Sequence, residues 1–116
     1  MTNRRELRKI FELQCQICKA MAHAVRLEIV ELLYKREMSA AELIKALETS
    51  KVNLSKHMTI LTQAGIAEAL RDGRQVSYRL SHPEIHEACT IMRSILYRRL
   101  KQGEKLADAI ISPRAR

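Results

Sequence analysis

Between residues 4 and 18 the apolar side chains fall at Leu7, Ile10, Phe11, Leu13, Ile17 and Cys18, the spacing of an amphipathic helix with a broad apolar face. From His23 to Tyr34 the apolar positions Val25, Leu27, Ile29, Val30, Leu32 and Leu33 are denser and predict a more deeply buried helix. Ser39 then reads as the N-cap of a third helix. Glu42, three residues on, completes a capping box, and Leu43, Ile44 and Leu47 face inward. Ser50 caps a fourth helix, in which Leu54, Met58 and Leu61 recur at helical spacing. Gly65 follows where a left-handed C-cap is expected.

After Gly65 the pattern changes from a helical period to alternation. Residues 66–70 and 75–80 read as strands, with Val76, Tyr78 and Leu80 on one face and Ser77 and Arg79 on the other. Between them Asp72-Gly73 supplies a hairpin turn. Pro83 suits the first turn of a last helix. That helix carries an apolar stripe through Ile85, Cys89, Met92, Leu96 and Leu100, with Gly103 weakening its end. The predicted architecture is mainly α with a small β-hairpin (α+β): four helices, two strands and a fifth helix, in one domain over residues 1–116. Residues 39–80 have the pattern of a winged helix-turn-helix, with the helix-turn-helix at 39–64 and the wing at 66–80. The apolar stripe of the last helix has no evident partner within so small a domain, so it reads as a dimer seam. Residues 4–19 and 83–106 are the expected dimerisation helices, and 107–116 a frayed basic tail.

Composition sharpens this picture. The 116 residues are 47% apolar but only 3% aromatic, so the core must be built from Leu, Ile, Ala, Val and Met, which suits packed helices. Twenty-one Lys and Arg against 13 Asp and Glu give a net charge of +8. The acids are too numerous for a polybasic tail, so the bias belongs to a folded chain and favours a polyanionic partner. No apolar run approaches the length of a membrane span or forms a signal peptide, and the expected location is the cytoplasm with no membrane partner. Cys15, Cys18 and Cys89 are the 3 cysteines; an odd count without an export signal argues against a disulfide framework and for reactive thiols.

A helix that enters the major groove needs short polar or basic side chains in its first turns. Lys51, Asn53, Ser55, Lys56 and His57 supply them, while Leu54, Met58 and Leu61 hold the back of the helix. Asn53 suits adenine, Lys51 and Lys56 suit guanine or phosphate, and Ser55 and His57 suit phosphate. Arg71 and Arg74 flank the hairpin turn and suit phosphate or the minor groove, with Arg79 further along the same hairpin. Lys19 and Arg26 are read either as ties between helix ends or as phosphate contacts. The expected partner is double-stranded DNA carrying an inverted repeat, because one such helix reads only a few base pairs and a homodimer doubles the contact.

Three stretches resemble the ArsR/SmtB family of winged helix-turn-helix repressors. They are the run from Lys19 to Leu33, the run Ser55-Lys-His-Met-Thr-Ile-Leu-Thr-Gln-Ala-Gly-Ile66, and the run Arg71-Asp-Gly-Arg-Gln-Val-Ser-Tyr-Arg-Leu80. The resemblance covers residues 17–86. It implies a homodimer built by the first and last helices and release from operator DNA on sensing a signal. Most of that family's sensing sites do not carry over. Glu42-Leu-Ile-Lys-Ala46 stands where one metal motif has two cysteines, Ile95 and Arg98 stand where the last-helix zinc site needs ligands, and Glu31 stands where dithiol sensors have a cysteine.

What remains is this chain's own. Cys15 and Cys18 are spaced i and i+3 on the first helix, and Cys89 lies on the last. In the implied fold these helices pack together, within or between subunits, so the thiolates suit As(III), Sb(III) or another soft metal as effector. His82 and His86 are one turn apart and are read as a cap and a surface residue, with added nitrogen ligands as the alternative. No resident cofactor is expected. Two alternatives stand beside the metal(loid)-released repressor: the same repressor sensing oxidants or reactive sulfur species through its thiols, and a winged-helix protein-interaction module without DNA binding. An enzyme is not expected. Cys15-Gln-Ile-Cys18 follows no strand, as a thiol oxidoreductase motif would, and neither a Gly-rich phosphate loop nor a carboxylate pair stands out.

Overall fold

The structure is a computed structural model and describes residues 3–111. Its elements in chain order are α1 (Arg4–Met21), α2 (Ala24–Lys35), β1 (Met38–Ser39), α3 (Ala40–Leu47), α4 (Lys51–Gln63), β2 (Ala67–Asp72), β3 (Gln75–Leu80) and α5 (Glu84–Ile111). The expected mainly helical fold with a hairpin is present, with one strand more than the sequence pattern indicated. The chain forms two compact units, Met1–Ile85 and His86–Arg116.

Each of the helices α1 to α4 begins at a side chain that satisfies an orphan backbone donor. Asn3 and Glu6 form a capping box at α1, and the His23 ring accepts from the Val25 N–H at α2. Ser39 and Glu42 form the expected box at α3, and Ser50 accepts from the Asn53 N–H at α4. Arg36 reaches the same Glu42 carboxylate at 2.7 Å. That hydrogen bond, followed by the one from the Ser39 N–H, lowers the Glu42 carboxyl to about 2. The α3 cap is therefore at full strength above the ordinary carboxylate range and is lost only as pH falls towards 2.

α3 ends at Leu47 and is capped by Glu48, which adopts a left-handed conformation (φ 52°) and closes the turn into α4. α4 ends at Gln63 with Ala64 as its C-cap, and Gly65 takes the expected positive φ of 76°. The core of this unit gathers Ile29, Val30 and Leu33 of α2, Leu43 of α3, and Leu54, Met58 and Leu61 of α4, closed by Met38, Ile66 and Ala67. Leu61 has 0% of its surface exposed. Leu61→Ala is expected to lower unfolding free energy by about 2–5 kcal/mol, read from the urea midpoint.

β1 pairs antiparallel with β3, Met38 opposite Tyr78 and Ser39 opposite Ser77, so the sheet order is β1-β3-β2. Two residues are too few to show a period, and Ser39 also serves as a helix cap. The wing turn is also shifted by one residue from the expected Asp72-Gly73 centre. Asp72 pairs with Gln75, which leaves Gly73 and Arg74 as the loop. Gly73 has φ 63°, and Arg74 is not among the residues with positive φ, the arrangement of a turn with glycine at its first central position.

The second unit carries α5 onward from His86. α5 runs through Gly103 to Ile111, beyond the expected end at residue 106. One interior glycine costs about 1 kcal/mol, which the helix-favouring residues around it (Glu104, Lys105, Leu106) outweigh. Residues 107–111 of the expected tail are thus helical, and 112–116 lie outside the described residues.

Candidate nucleic-acid interface

α4 buries Leu54, Met58 and Leu61 and turns its other faces outward. Lys51, Asn53, Ser55 and Lys56 are all exposed. The first turn of α4 contains no acid and does contain Lys51, whereas the first turns of α1 and α3 carry Glu6 and Glu42. A helix start already bears a partial positive charge, so this placement favours an anion in front of it. Sequence reading missed Val52, which is 64% exposed and shares the outward face with Lys56. Its signal was available, because it lies four residues from Lys56 and opposite the buried row.

His57 stands apart from the other residues expected to contact DNA. It is half-buried and turned towards the α1–α2 corner. Arg26 donates from Nη1 to its Nδ1 at 3.3 Å, and the His23 ring lies 4.6 Å away, centroid to centroid. Burial first, then the charges of His23 and Arg26, hold the His57 ring below the ordinary histidine value of 6.5. Helical spacing explains the direction: His57 is three residues from Leu54 and four from Leu61, so it borders the buried row. Arg26 also donates from Nε to the Ala20 carbonyl at 2.5 Å. Of the two readings open for Arg26, the structure gives the tie between helix ends.

On the wing, Arg71, Asp72, Gly73 and Arg74 are exposed. Arg71 and Arg74 have no ion-pair partner among the described residues, while Arg79 pairs across the strands with Glu68 at 3.1 Å. That exposed pair contributes little stability but takes Arg79 out of the free cations of the hairpin. The tip therefore offers two guanidinium groups, with Asp72 between them in sequence.

Cys15 and Cys18 are free, exposed thiols on α1, and Cys89 is half-buried on α5. Within either unit, among the described residues, no three His, Cys, Asp or Glu side chains are placed to hold a metal ion. No described helix is long and apolar enough to cross a membrane.

Residues 21–69 match the family described as "Helix-turn-helix domain". An uncharacterized HTH-type transcriptional regulator of Mycobacterium tuberculosis H37Rv, Rv0081, is 36% identical over 96 residues, covering 80% of this chain and 82% of that protein. Its crystal structure superposes with a TM-score of 0.72, covering 80% of this chain and 94% of that one at 33% identity. The HTH-type transcriptional repressor SmtB of the same organism is 35% identical over 74 residues, 64% of this chain and 55% of that protein. Reduced HlyU from Vibrio cholerae superposes with a TM-score of 0.69 at 30% identity, covering 78% of this chain and 96% of that one.

Proposed function

The chain belongs to the ArsR/SmtB family of winged helix-turn-helix transcriptional regulators, and from that membership we propose that it is a homodimeric repressor whose two α4 helices read an inverted-repeat operator. Like its relatives it is a DNA-binding regulator and not an enzyme. The observation that carries the reading is the acid-free, cationic start of α4, with Lys51, Asn53, Ser55 and Lys56 exposed. Arg71 and Arg74 of the wing, exposed and without an ion-pair partner among the described residues, add a second cationic group. Asn53 is assigned to an adenine edge, Lys51 and Lys56 to guanine or phosphate, Ser55 to phosphate, and Val52 to a thymine methyl. Arg71 and Arg74 are assigned to the backbone or minor groove beside the site. His57 is left out of the contacting set because it is turned to Arg26 and His23. The cytoplasm, where the DNA is, is the assigned location.

Two helices support the dimer, each by its own surface. α1 leaves Leu7, Ile10, Phe11, Leu13 and Ile17 exposed in the single chain, and α5 leaves Met92, Ile95, Leu96 and Leu100 exposed. Apolar rows of this extent on a small soluble protein mark an interface, and a second copy is the occupant the fold offers.

The effector is assigned to the thiols. Cys15 and Cys18 are exposed one turn apart on α1, so one chain offers two of the three sulfurs that As(III) or Sb(III) takes. Cys18 lies on the same face as Leu7 and Phe11, so a ligand there acts at the surface assigned to the partner. Sensing of oxidants or reactive sulfur by the same thiols is the alternative, favoured by the same exposure. The test titrates the DNA complex with arsenite, zinc, cadmium, peroxide and polysulfide, following release by fluorescence anisotropy. Cys15→Ser with Cys18→Ser is expected to reduce release by the active agent at least tenfold. Full release from a variant with all three cysteines replaced would remove the thiol assignment. If arsenite is silent and polysulfide or peroxide acts, the redox alternative replaces the metal(loid).

A further inference from the structure

Arg26 joins three elements of the first unit. Its Nε donates to the Ala20 carbonyl near the end of α1, its backbone lies in the first turn of α2, and its Nη1 donates to His57 Nδ1 on α4. Among the described residues of α1 only Ala20 is buried, so the contact sits where α1 enters the core. Arginine has only donors. His57 therefore accepts at Nδ1 and is neutral whenever this bond exists. His23 accepts at its own Nδ1 from the Val25 N–H, which fixes its ring beside His57. A proton added to His57 removes the acceptor and places an imidazolium between a guanidinium and a second imidazole.

We propose that Arg26 and His57 are positioning residues that latch the reading helix α4 to the α1–α2 corner, and that the latch opens when His57 takes up a proton. The elements packed against α4 are α1, α2, α3 and β2. The charged or titratable groups that act on the His57 ring are His23, which caps α2, and Arg26 of α2. From α1 the contribution at this corner is the Ala20 carbonyl that holds Arg26, and no charged group of α1, α3 or β2 acts on the ring among the described residues. Among the described residues no carboxylate acts on the ring to stabilise an imidazolium, which is what makes the corner respond to a proton.

The sign follows from the direction of the shift. The latched state holds the ring below its ordinary value, so it binds fewer protons than the open state. The latch is at full strength above about 6.5 and weakens as pH falls from there towards the lowered value. General acidification does the opposite: it makes a basic chain more positive and tightens attraction to phosphate. Loss of DNA affinity on acidification therefore separates the latch from bulk electrostatics.

The latch presupposes that α4 reads DNA. Its test measures operator affinity between pH 8 and pH 5.5 for the unmodified chain, His57→Asn and His23→Asn, each normalised to its own value at pH 8. Asparagine keeps an oxygen near the Nδ1 position of residue 57 and does not titrate, and at residue 23 it keeps the cap. The unmodified chain and His23→Asn are expected to lose about tenfold more affinity than His57→Asn by pH 5.5. Parallel profiles for the unmodified chain and His57→Asn, or a relative gain for the unmodified chain, would overturn the latch. Should His57→Asn not fold, calorimetry of the unmodified protein in two buffers at pH 6 decides: net proton release on binding DNA is expected, and none or net uptake overturns it. Absence of DNA binding at pH 8 would overturn the reading of α4 itself, and the latch with it.

Discussion

Phe11→Asp is expected to leave the protein monomeric in sedimentation and to weaken operator binding by about a thousandfold. Phe11 is 51% exposed in the single chain and lies on the same face of α1 as Leu7 and Cys18. Its replacement removes nothing from the core, so the far-UV spectrum and the thermal midpoint of the isolated chain should hold. In a two-fold dimer the change occurs twice, and each carboxylate enters an apolar surface without a partner. An uncompensated buried charge costs about 3–5 kcal/mol, enough to separate a pair of small protomers. A monomer then holds one half-site and loses the multiplied affinity that two linked half-sites give. A Phe11→Asp protein that remained dimeric and bound normally would place the interface elsewhere.

Removing Lys56 and Arg74 together should have the next largest effect. Both are exposed, one on α4 and one at the wing turn, and neither has an ion-pair partner among the described residues. Each is expected to hold a phosphate or a base edge in each half of the dimer. The double alanine variant should lose about a hundredfold in affinity, and the dependence of log affinity on log salt should flatten by about 0.9 for every phosphate contact removed. The salt slope distinguishes two roles. If Lys56 grips guanine, Lys56→Ala relaxes sequence preference at one position, whereas a phosphate contact weakens all sequences alike. An unchanged slope and affinity in the double variant would favour a winged-helix module that binds protein instead.

Much of the fold was legible because local chemistry and hydrophobic period agreed. Ser39 with Glu42, Ser50 and Gly65 marked helix ends that the structure places at those residues. The buried row Leu54, Met58 and Leu61 was equally plain. β1 was not legible, because a two-residue strand has no period and its existence depends on Tyr78 and Ser77 arriving from the far side of the chain. The turn register was missed by one residue because Asp-Gly and Gly-Arg both satisfy a two-residue hairpin, and only the cross-strand pairing decides between them.

In the candidate interface, position along α4 was legible but direction was not always used. His57 follows Lys56 in sequence, yet a step of one residue turns a helical side chain by about 100°. That step separates an exposed lysine from a ring pressed against Arg26. Arg26 could be narrowed from sequence to two roles, and the choice between them needed the position of the Ala20 carbonyl.

The central claim is that two symmetry-related α4 helices occupy successive major grooves on one face of a duplex. Selection of bound duplexes from a random pool, with the unmodified protein, tests it most directly. The expected result is enrichment of an inverted repeat whose half-site centres lie about one helical turn apart, with binding abolished when about 5 base pairs are inserted between the halves. Enrichment of no sequence, or of a single site indifferent to that insertion, would contradict it.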